Sequence, residues 1–410
     1  MLDFLTNLYL FYTFVSLYFL TLFILIYFQN RNLLFYSPVF EKELSLSIVI
    51  PCYNEADSIG DTIQHHLSAD YKGLKKIFVV DDCSKDNSYE IIKKYAKLYP
   101  QVIALQTPKN TGCAAGAKNF GAKFVKTDLI GFSDGDSFPK KDAISNMVGF
   151  FNDETVGGVT SRVLVRDRNN LLEKLQSVEY KIIAFTRKLL GFVGGIYVTN
   201  GPLSIYRKKA FDEVNGFDEK NLTEDIEITW HFVKDNWKVQ MSLASLVYTV
   251  VPSNLRIWFK QRIRWNVGGI QTIMKYKKSF LEKGMLGSFI LPFFGLSWVL
   301  AVFGLCVLVY RVFRTIIVRY LSTFYSVQAQ TTILRLQDIN LSPSILFLFG
   351  IFLFVFSLSF NLLALSYSRE KDYKGTNPFQ VGFFMFFYLL LYPIVLITSS
   401  YKFLRGYNKW

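Results

Sequence analysis

The chain has 410 residues, 51% of them hydrophobic, with 40 Phe and 24 Tyr, a composition that argues against a wholly soluble protein. The formal charge of +14 would suit nucleic acid, but the basic residues gather beside apolar stretches (Lys275, Lys277, Lys278; Arg311, Arg314, Arg319; Lys402, Arg405, Lys409). Membrane lipids with anionic headgroups are therefore the expected partner, and no nucleic acid is.

Leu8 to Phe28 is apolar, follows Asp3 and no basic residue, exceeds a signal-peptide core and lacks a small-residue cleavage site, so it is expected to be a retained anchor. Arg31 and Lys42 come after it, which by the positive-inside rule sets the N-terminus outside and the following domain in the cytosol. Gly287 to Tyr310, Ser344 to Tyr367 and Val381 to Ser400 each approach the length of about 20 residues that a spanning helix needs. The stretch from Arg311 to Arg335 is ambiguous. The expected organisation is an anchor at 1–40, a cytosolic domain at 41–253, amphipathic interface helices at 254–284 and transmembrane helices at 285–410.

Within the domain, apolar runs and amphipathic segments alternate. Strands are predicted at Leu46 to Pro51, Ile77 to Asp81, Val102 to Leu105 and Leu129 to Ser133; helices at Ala56 to Leu67, Asn87 to Tyr99 and Ala114 to Val125. Such alternation predicts an α/β fold with a doubly wound parallel sheet, whose ligands bind beyond the carboxyl ends of the strands. The turns there contain neither GxGxxG nor GxxxxGK[ST], which removes the main support for dinucleotide-redox and P-loop readings. Past residue 155, longer strands are expected at Val156 to Val165 and Tyr197 to Tyr206, with a helix from Asn169 to Leu190 between them, forming an acceptor-side half.

Cys52, Cys83, Cys113 and Cys306 show no CxxC pairing, and there are only three histidines, His65, His66 and His231. A structural zinc site is not expected, the adjacent His65 and His66 are expected at the surface, and any metal would rest on carboxylates. Asp134 and Asp136 in "DGDS" can face one divalent cation, with Gly135 allowing close approach; a solvated turn is the alternative. Asp81 and Asp82 could accept hydrogen bonds from a base or ribose, or serve as turn or cap residues. In "NLTEDIEITW", Thr223 can cap a helix whose first turn holds Glu224 and Asp225, which either complement the helix dipole or supply a catalytic base.

"NLRIWFKQRIRWNVGG" interleaves Arg256, Lys260, Arg262 and Arg264 with Trp258, Phe259, Ile263 and Trp265, as an interfacial helix does. A second reading gives Arg264 a diphosphate to neutralise and Trp265 a sugar ring to stack on. Asn361, Ser357, Ser359 and Ser366 place polar groups in the third apolar segment, for interhelical bonding or a polar conduit.

Taken in order, "PCYNE", "VVDDCS", "DGD", "TED" and "QRIRW" resemble the signatures of membrane-embedded family-2 glycosyltransferases, the group that includes hyaluronan, cellulose, chitin and poly-N-acetylglucosamine synthases. The resemblance spans most of residues 45–275 and implies a GT-A domain, Rossmann-like, inserted between transmembrane helices, in a multi-pass protein of the plasma membrane. Carried over, Pro51, Tyr53, Glu55, Asp82, Lys118, Asp134 and Arg264 would bind the nucleotide of a UDP-sugar, and Asp134 and Asp136 would hold Mg²⁺ or Mn²⁺. Asp225 would be the general base, with Glu224 beside it in the catalytic pair. Gly201, Gln261 and Trp265 would face the acceptor. The implied reaction is inverting, processive elongation of a β-linked polysaccharide, with export. Where several polymer synthases have "GKA", this chain has Gly112-Cys113-Ala114 and later Lys118-Asn119, closer to simpler family-2 enzymes. Single-sugar transfer to a lipid-linked acceptor is thus an alternative, as is a silent membrane scaffold.

Overall fold

The structure, a computed structural model, describes residues 4–330, 345–367 and 378–407; Asp3, Arg335, Ser344 and Lys409, named above, lie outside the described residues. In chain order the helices are α1 (Phe4–Asn30), α2 (Ile59–Leu67), α3 (Ser88–Leu98), α4 (Ala114–Ala122), α5 (Ser145–Val148), α6 (Leu171–Phe192), α7 (Lys208–Glu213), α8 (Glu224–Lys234), α9 (Leu255–Tyr276), α10 (Leu291–Gln328), α11 (Ile345–Ser366), α12 (Pro378–Phe383) and α13 (Leu389–Leu404). The strands are β1 (Leu46–Cys52), β2 (Leu74–Asp81), β3 (Val102–Gln106), β4 (Leu129–Phe132), β5 (Ser137–Pro139), β6 (Val156–Val165), β7 (Ser204–Arg207) and β8 (Lys238–Thr249).

Among the described residues, all eight strands form one mixed sheet in the order β3-β2-β1-β4-β7-β6-β8-β5. From β3 to β4 every pairing is parallel, and from β4 onward antiparallel pairs enter through β7. Parallel strands are covered on both faces, which is why β1 can be the unbroken apolar run LSIVIPC with all seven residues buried. Helix α4 packs directly on that sheet: a Cβ at Gly121 would meet Val49 at 2.5 Å and Val80 at 2.8 Å. The small residue brings the helix close and carries Lys118, one turn earlier, to the ends of the strands.

The second half departs from expectation at Tyr197 to Tyr206, where only Ser204–Arg207 is a strand. The preceding backbone spends its donors on side chains: Thr199 N–H donates to Thr229 Oγ1 (2.9 Å) and Asn200 N–H to Thr160 Oγ1 (3.0 Å). Helix α2 also starts later than expected, because Glu55 C=O already accepts from the N–H groups of Ser58 and Ile59 in a turn. The histidine pair is not at the surface: His66 is fully buried, on the same helical stripe as Ile59, Thr62 and Ile63, while His65 contacts Pro139 C=O at 3.1 Å. Burial and the neighbouring His65 push the His66 imidazole down to about 3, so it stays neutral.

Among the described residues, four segments are long and apolar enough to cross a bilayer: Thr6–Leu33, Leu286–Gln328, Leu348–Ser366 and Phe379–Leu404. The chain is a membrane protein. The stretch after Arg311 that the sequence left ambiguous continues α10 as helix to Gln328. The polar groups of α11 bond within their own helix, Asn361 Nδ2 to Ser357 C=O at 2.9 Å and Ser366 Oγ to Leu363 C=O at 2.7 Å. Between the sheet and the long apolar helices, α6 packs on β6 and α1, and α9 packs on α8 and α13.

Candidate active site

The carboxyl ends of β1, β2 and β4 open into a cavity of about 790 Å³ whose opposite walls come from α6, the 197–202 loop, the start of α8 and the middle of α9. That volume suits a substrate of nucleotide-sugar size. Every residue carried over as a site residue lines it: Pro51, Tyr53, Glu55, Asp82, Lys118, Asp134, Asp136, Gly201, Glu224, Asp225, Gln261, Arg264 and Trp265. Residues 51 and 265 thus meet across one space.

The strand-end loops are pinned by side chains. Asn54 and Cys83, one after each of β1 and β2, adopt φ of 56° and 60°, a conformation uncommon outside glycine that clusters where function over-determines the backbone. Asn54 Oδ1 accepts from Lys85 N–H at 2.8 Å and ties the two loops together. Asp82 neither caps a helix nor lies open: Thr107 Oγ1 (2.7 Å), Thr111 Oγ1 (2.8 Å) and Thr111 N–H (3.0 Å) all donate to it, so it holds the 107–111 loop against the cavity. Asp81 is likewise engaged by Gln106 Nε2 at 2.9 Å. Of the cysteines, Cys52 and Cys113 line the cavity, while Cys83 donates its thiol to Thr107 C=O.

The Asp134-Gly135-Asp136 turn is anchored from below, where Gly135 C=O accepts from Thr62 Oγ1 (2.8 Å) and Ser58 Oγ (3.1 Å) on the α2 side. A side chain at Gly135 would press on Pro51 C=O at 3.2 Å, so only glycine fits without displacement. Burial, then the charges of Asp134 and Glu55, push Asp136 up to about 7. Among the described residues no group of three or more His, Cys, Asp or Glu forms a metal cage. A pair of hard carboxylates whose mutual repulsion a cation would relieve nevertheless fits Mg²⁺ or Mn²⁺, which bind through one or two carboxylates plus substrate phosphates.

Lys118 Nζ, almost wholly buried, lies 3.2 Å from Asp134 Oδ1 and 2.9 Å from Glu224 Oε1. Burial opposes its charge, but Asp134 and Glu224 hold the ammonium in place and raise its pKa. Lys118 therefore fastens the two acidic groups to each other across the cavity. Glu224 feels the converse: burial would raise it, but Lys118 holds it below the usual carboxylate range. Asp225, beside it and half-buried, is pushed up to about 7 by burial and by Glu224. Its Oδ1 accepts from Ile226 N–H at 2.9 Å.

Two expectations change here. Thr223 occupies the N-cap position of α8, but its hydroxyl donates to Asn221 Oδ1 (3.2 Å) instead of capping the helix. Gly201 makes room for a protein group: a Cβ there would collide with the Asp134 carboxylate. Arg264 Nη1 contacts Leu222 C=O at 3.5 Å, and one face of Trp265 is covered by the Arg262 guanidinium, 4.0 Å from the ring centroid. Sequence reading missed Tyr180, Arg187, Tyr197 and Asn200, which line the wall opposite the strand ends. Asn200 sits beside Gly201 in "TNGP" and donates to Ser161 C=O at 2.7 Å, so the adjacent glycine was the available signal.

Residues 47–214 match the family model Glycosyl transferase family 2. Over that segment, about two-fifths of its length, the chain is similar to family-2 glycosyltransferases. A poly-beta-1,6-N-acetyl-D-glucosamine synthase of Staphylococcus epidermidis is 29% identical over 303 residues, 72% of this chain and 72% of that protein. The enzyme of the same name from Staphylococcus aureus (strain MSSA476) is 28% identical over 250 residues, 60% of each. A mannosyltransferase of Pyrobaculum calidifontis, solved in complex with GDP-Man and Mn2+, shares the glycosyltransferase's GT-A fold: TM-score 0.59 at 14% identity, over 96% of this chain and 98% of that one.

Proposed function

We propose that this glycosyltransferase elongates a β-linked polysaccharide from a UDP-sugar at the cytosolic face of the plasma membrane and passes it through its own helices. The observation that carries the reading is Asp225: a carboxyl poised at about 7, in the cavity that also holds the strand-end acids and the α9 residues Gln261, Arg264 and Trp265. A general base works best with a pKa near the operating pH. The poly-beta-1,6-N-acetyl-D-glucosamine synthase relatives support a polymer product and make UDP-N-acetylglucosamine the first donor to test.

In this reading Pro51, Tyr53, Glu55 and Asp82 hold the nucleotide end, and Asp134 and Asp136 hold Mg²⁺ or Mn²⁺. When bound, the cation supplies charge neutralisation for the diphosphate. Asp225 accepts the proton of the acceptor hydroxyl as that oxygen bonds to the anomeric carbon and the bond to the diphosphate breaks, inverting the configuration. Arg264 takes up charge on the departing diphosphate, and Lys118 keeps Glu224 ionised beside the base. Trp265, which lines the same cavity, offers the acceptor sugar an apolar ring.

The test is to incubate the solubilised enzyme with each labelled UDP-sugar and Mg²⁺ or Mn²⁺ and to size the product. A high-molecular-weight polymer supports the proposal. A chloroform-soluble product bearing one sugar overturns it in favour of glycolipid synthesis, and no donor turnover returns the chain to a binding or scaffold role.

A further inference from the structure

Arg262 lies between Gln261 and Arg264 in the chain yet is absent from the cavity wall. It reaches instead to Glu179 of α6, where its Nη2 donates to Oε2 at 2.8 Å in a pair almost wholly buried on both sides. Two tyrosines of the last membrane segment meet the same carboxylate: the Tyr388 hydroxyl donates to Oε2 at 2.6 Å, and the Tyr392 hydroxyl donates to Oε1. Trp258 Nε1 of α9 donates to the Tyr388 hydroxyl at 2.8 Å. Glu179 is thus the point where the catalytic domain, α9 and the last span are joined.

The other end of α9 is joined to α8, the helix that opens with Glu224 and Asp225. Gln271 Oε1 accepts from Leu222 N–H (2.9 Å), Thr272 Oγ1 accepts from Asn221 Nδ2 (2.9 Å), and the Tyr276 hydroxyl donates to Glu227 Oε1 (2.7 Å). Gly268 lets the helices touch, since a Cβ there would collide with Thr223. One rigid helix therefore runs from the base to the membrane, with Arg264 and Trp265 along it.

Stability does not account for the Glu179 cluster. Desolvating an ion pair costs as much as the pairing returns, and apolar residues of similar volume commonly serve as well. Arg262 moreover leaves Nε and Nη1 without a hydrogen-bond partner while its guanidinium plane lies over Trp265. Such a cluster fixes one geometry among several that packing would allow.

We propose that Glu179 is a positioning residue: through Arg262, Tyr388 and Tyr392 it sets where α9 stands against the last span, and so the placement of Arg264 and Trp265 relative to Asp225. This rests on the roles given to those residues under the proposed function. A misplacement of about 1 Å costs on the order of a hundredfold in rate.

The experiment uses the full chain in detergent or lipid nanodiscs and compares Glu179→Gln, Tyr392→Phe and the apolar double variant Glu179→Met with Arg262→Met. UDP binding, UDP-sugar hydrolysis without acceptor, sugar transfer and thermal midpoint are measured for each. Expected for Glu179→Gln and the double variant is a fall of about a hundredfold in transfer kcat, with UDP Kd and donor KM within about twofold of the unmodified enzyme. Tyr392→Phe, which loses one donor of three, should fall between them and the unmodified enzyme. UDP binding lost in proportion to transfer, together with a collapsed thermal midpoint in Glu179→Gln and the double variant, would reduce Glu179 to a folding role. Transfer unchanged in the double variant overturns the proposal outright. If the unmodified enzyme transfers no sugar, the assigned reaction fails and the positioning role with it; if it transfers and the variants are indifferent, only the positioning role falls.

Discussion

The two acidic groups of the cavity, Asp134-Gly135-Asp136 after β4 and Glu224-Asp225 at the start of α8, share a plan and differ in surroundings. In each, one carboxylate contacts Lys118 and the other is pushed up to about 7. For Asp225, Lys118 opposes the rise set by burial and Glu224. For Asp136, burial, Asp134 and Glu55 act together and only hydrogen bonds oppose them. A carboxyl pair in which no cation opposes the rise at Asp136 suits a metal ion, whereas one raised carboxyl beside a neutralised neighbour is suited to take a proton. Which partner charges surround an acid, more than the acid itself, separates the two kinds of chemistry.

The sharpest way to break that comparison is Asp225→Asn, which should lower transfer about a thousandfold while UDP binding holds. Retained turnover would take the base assignment away from α8. Gly201→Ala drives a methyl group into Asp134, and a fall of about a hundredfold in transfer is expected, accompanied by weaker metal dependence. Asp136→Asn should raise the Mn²⁺ concentration needed for half-maximal rate by about tenfold. An unchanged metal titration there would count against the strand-end pair as ligands.

The smallest effect is on stability. Asp136 rises in the folded state from 3.8 to about 7, so its protonated form contributes stability that is complete below about pH 4 and is lost as pH climbs to about 7. Without metal, the thermal midpoint should decline across that window. Asp136→Asn should flatten the decline, and so should saturating Mn²⁺ near pH 7. Asp225 contributes a slope of the same sign, which Mn²⁺ is expected to leave in place.

The strand-end half was legible because each buried parallel strand is a short apolar run that stops at a polar turn, as at Val49-Ile50-Pro51 and Ile130-Gly131-Phe132. The 197–203 stretch looked like a strand for the same reason, being apolar at Tyr197, Val198 and Leu203. Its backbone, however, is satisfied by Thr160 and Thr229 from distant elements, which no local pattern reveals. His66 was legible in principle: it stands seven residues after Ile59 and three after Ile63 on the inward stripe of α2. Lys118 was found as a site residue, but its link to Glu224, 106 residues on, came only with the fold. Glu179 was invisible for a stronger version of that reason, since its partners lie 83, 209 and 213 residues away.

The second membrane segment, Leu286–Gln328, has 43 residues. At 1.5 Å per residue it is about 64 Å long, twice the hydrocarbon thickness of about 30 Å. Even at the steepest common tilt, about 40°, the hydrocarbon takes up about 26 of those residues. Counted from Leu286, the rest begins near Arg311 and carries Arg314 and Arg319, all exposed. The helix is thus longer than the hydrocarbon requires, like a mooring post cut for deeper water, and its surplus carries a cationic collar of the kind that meets lipid phosphates.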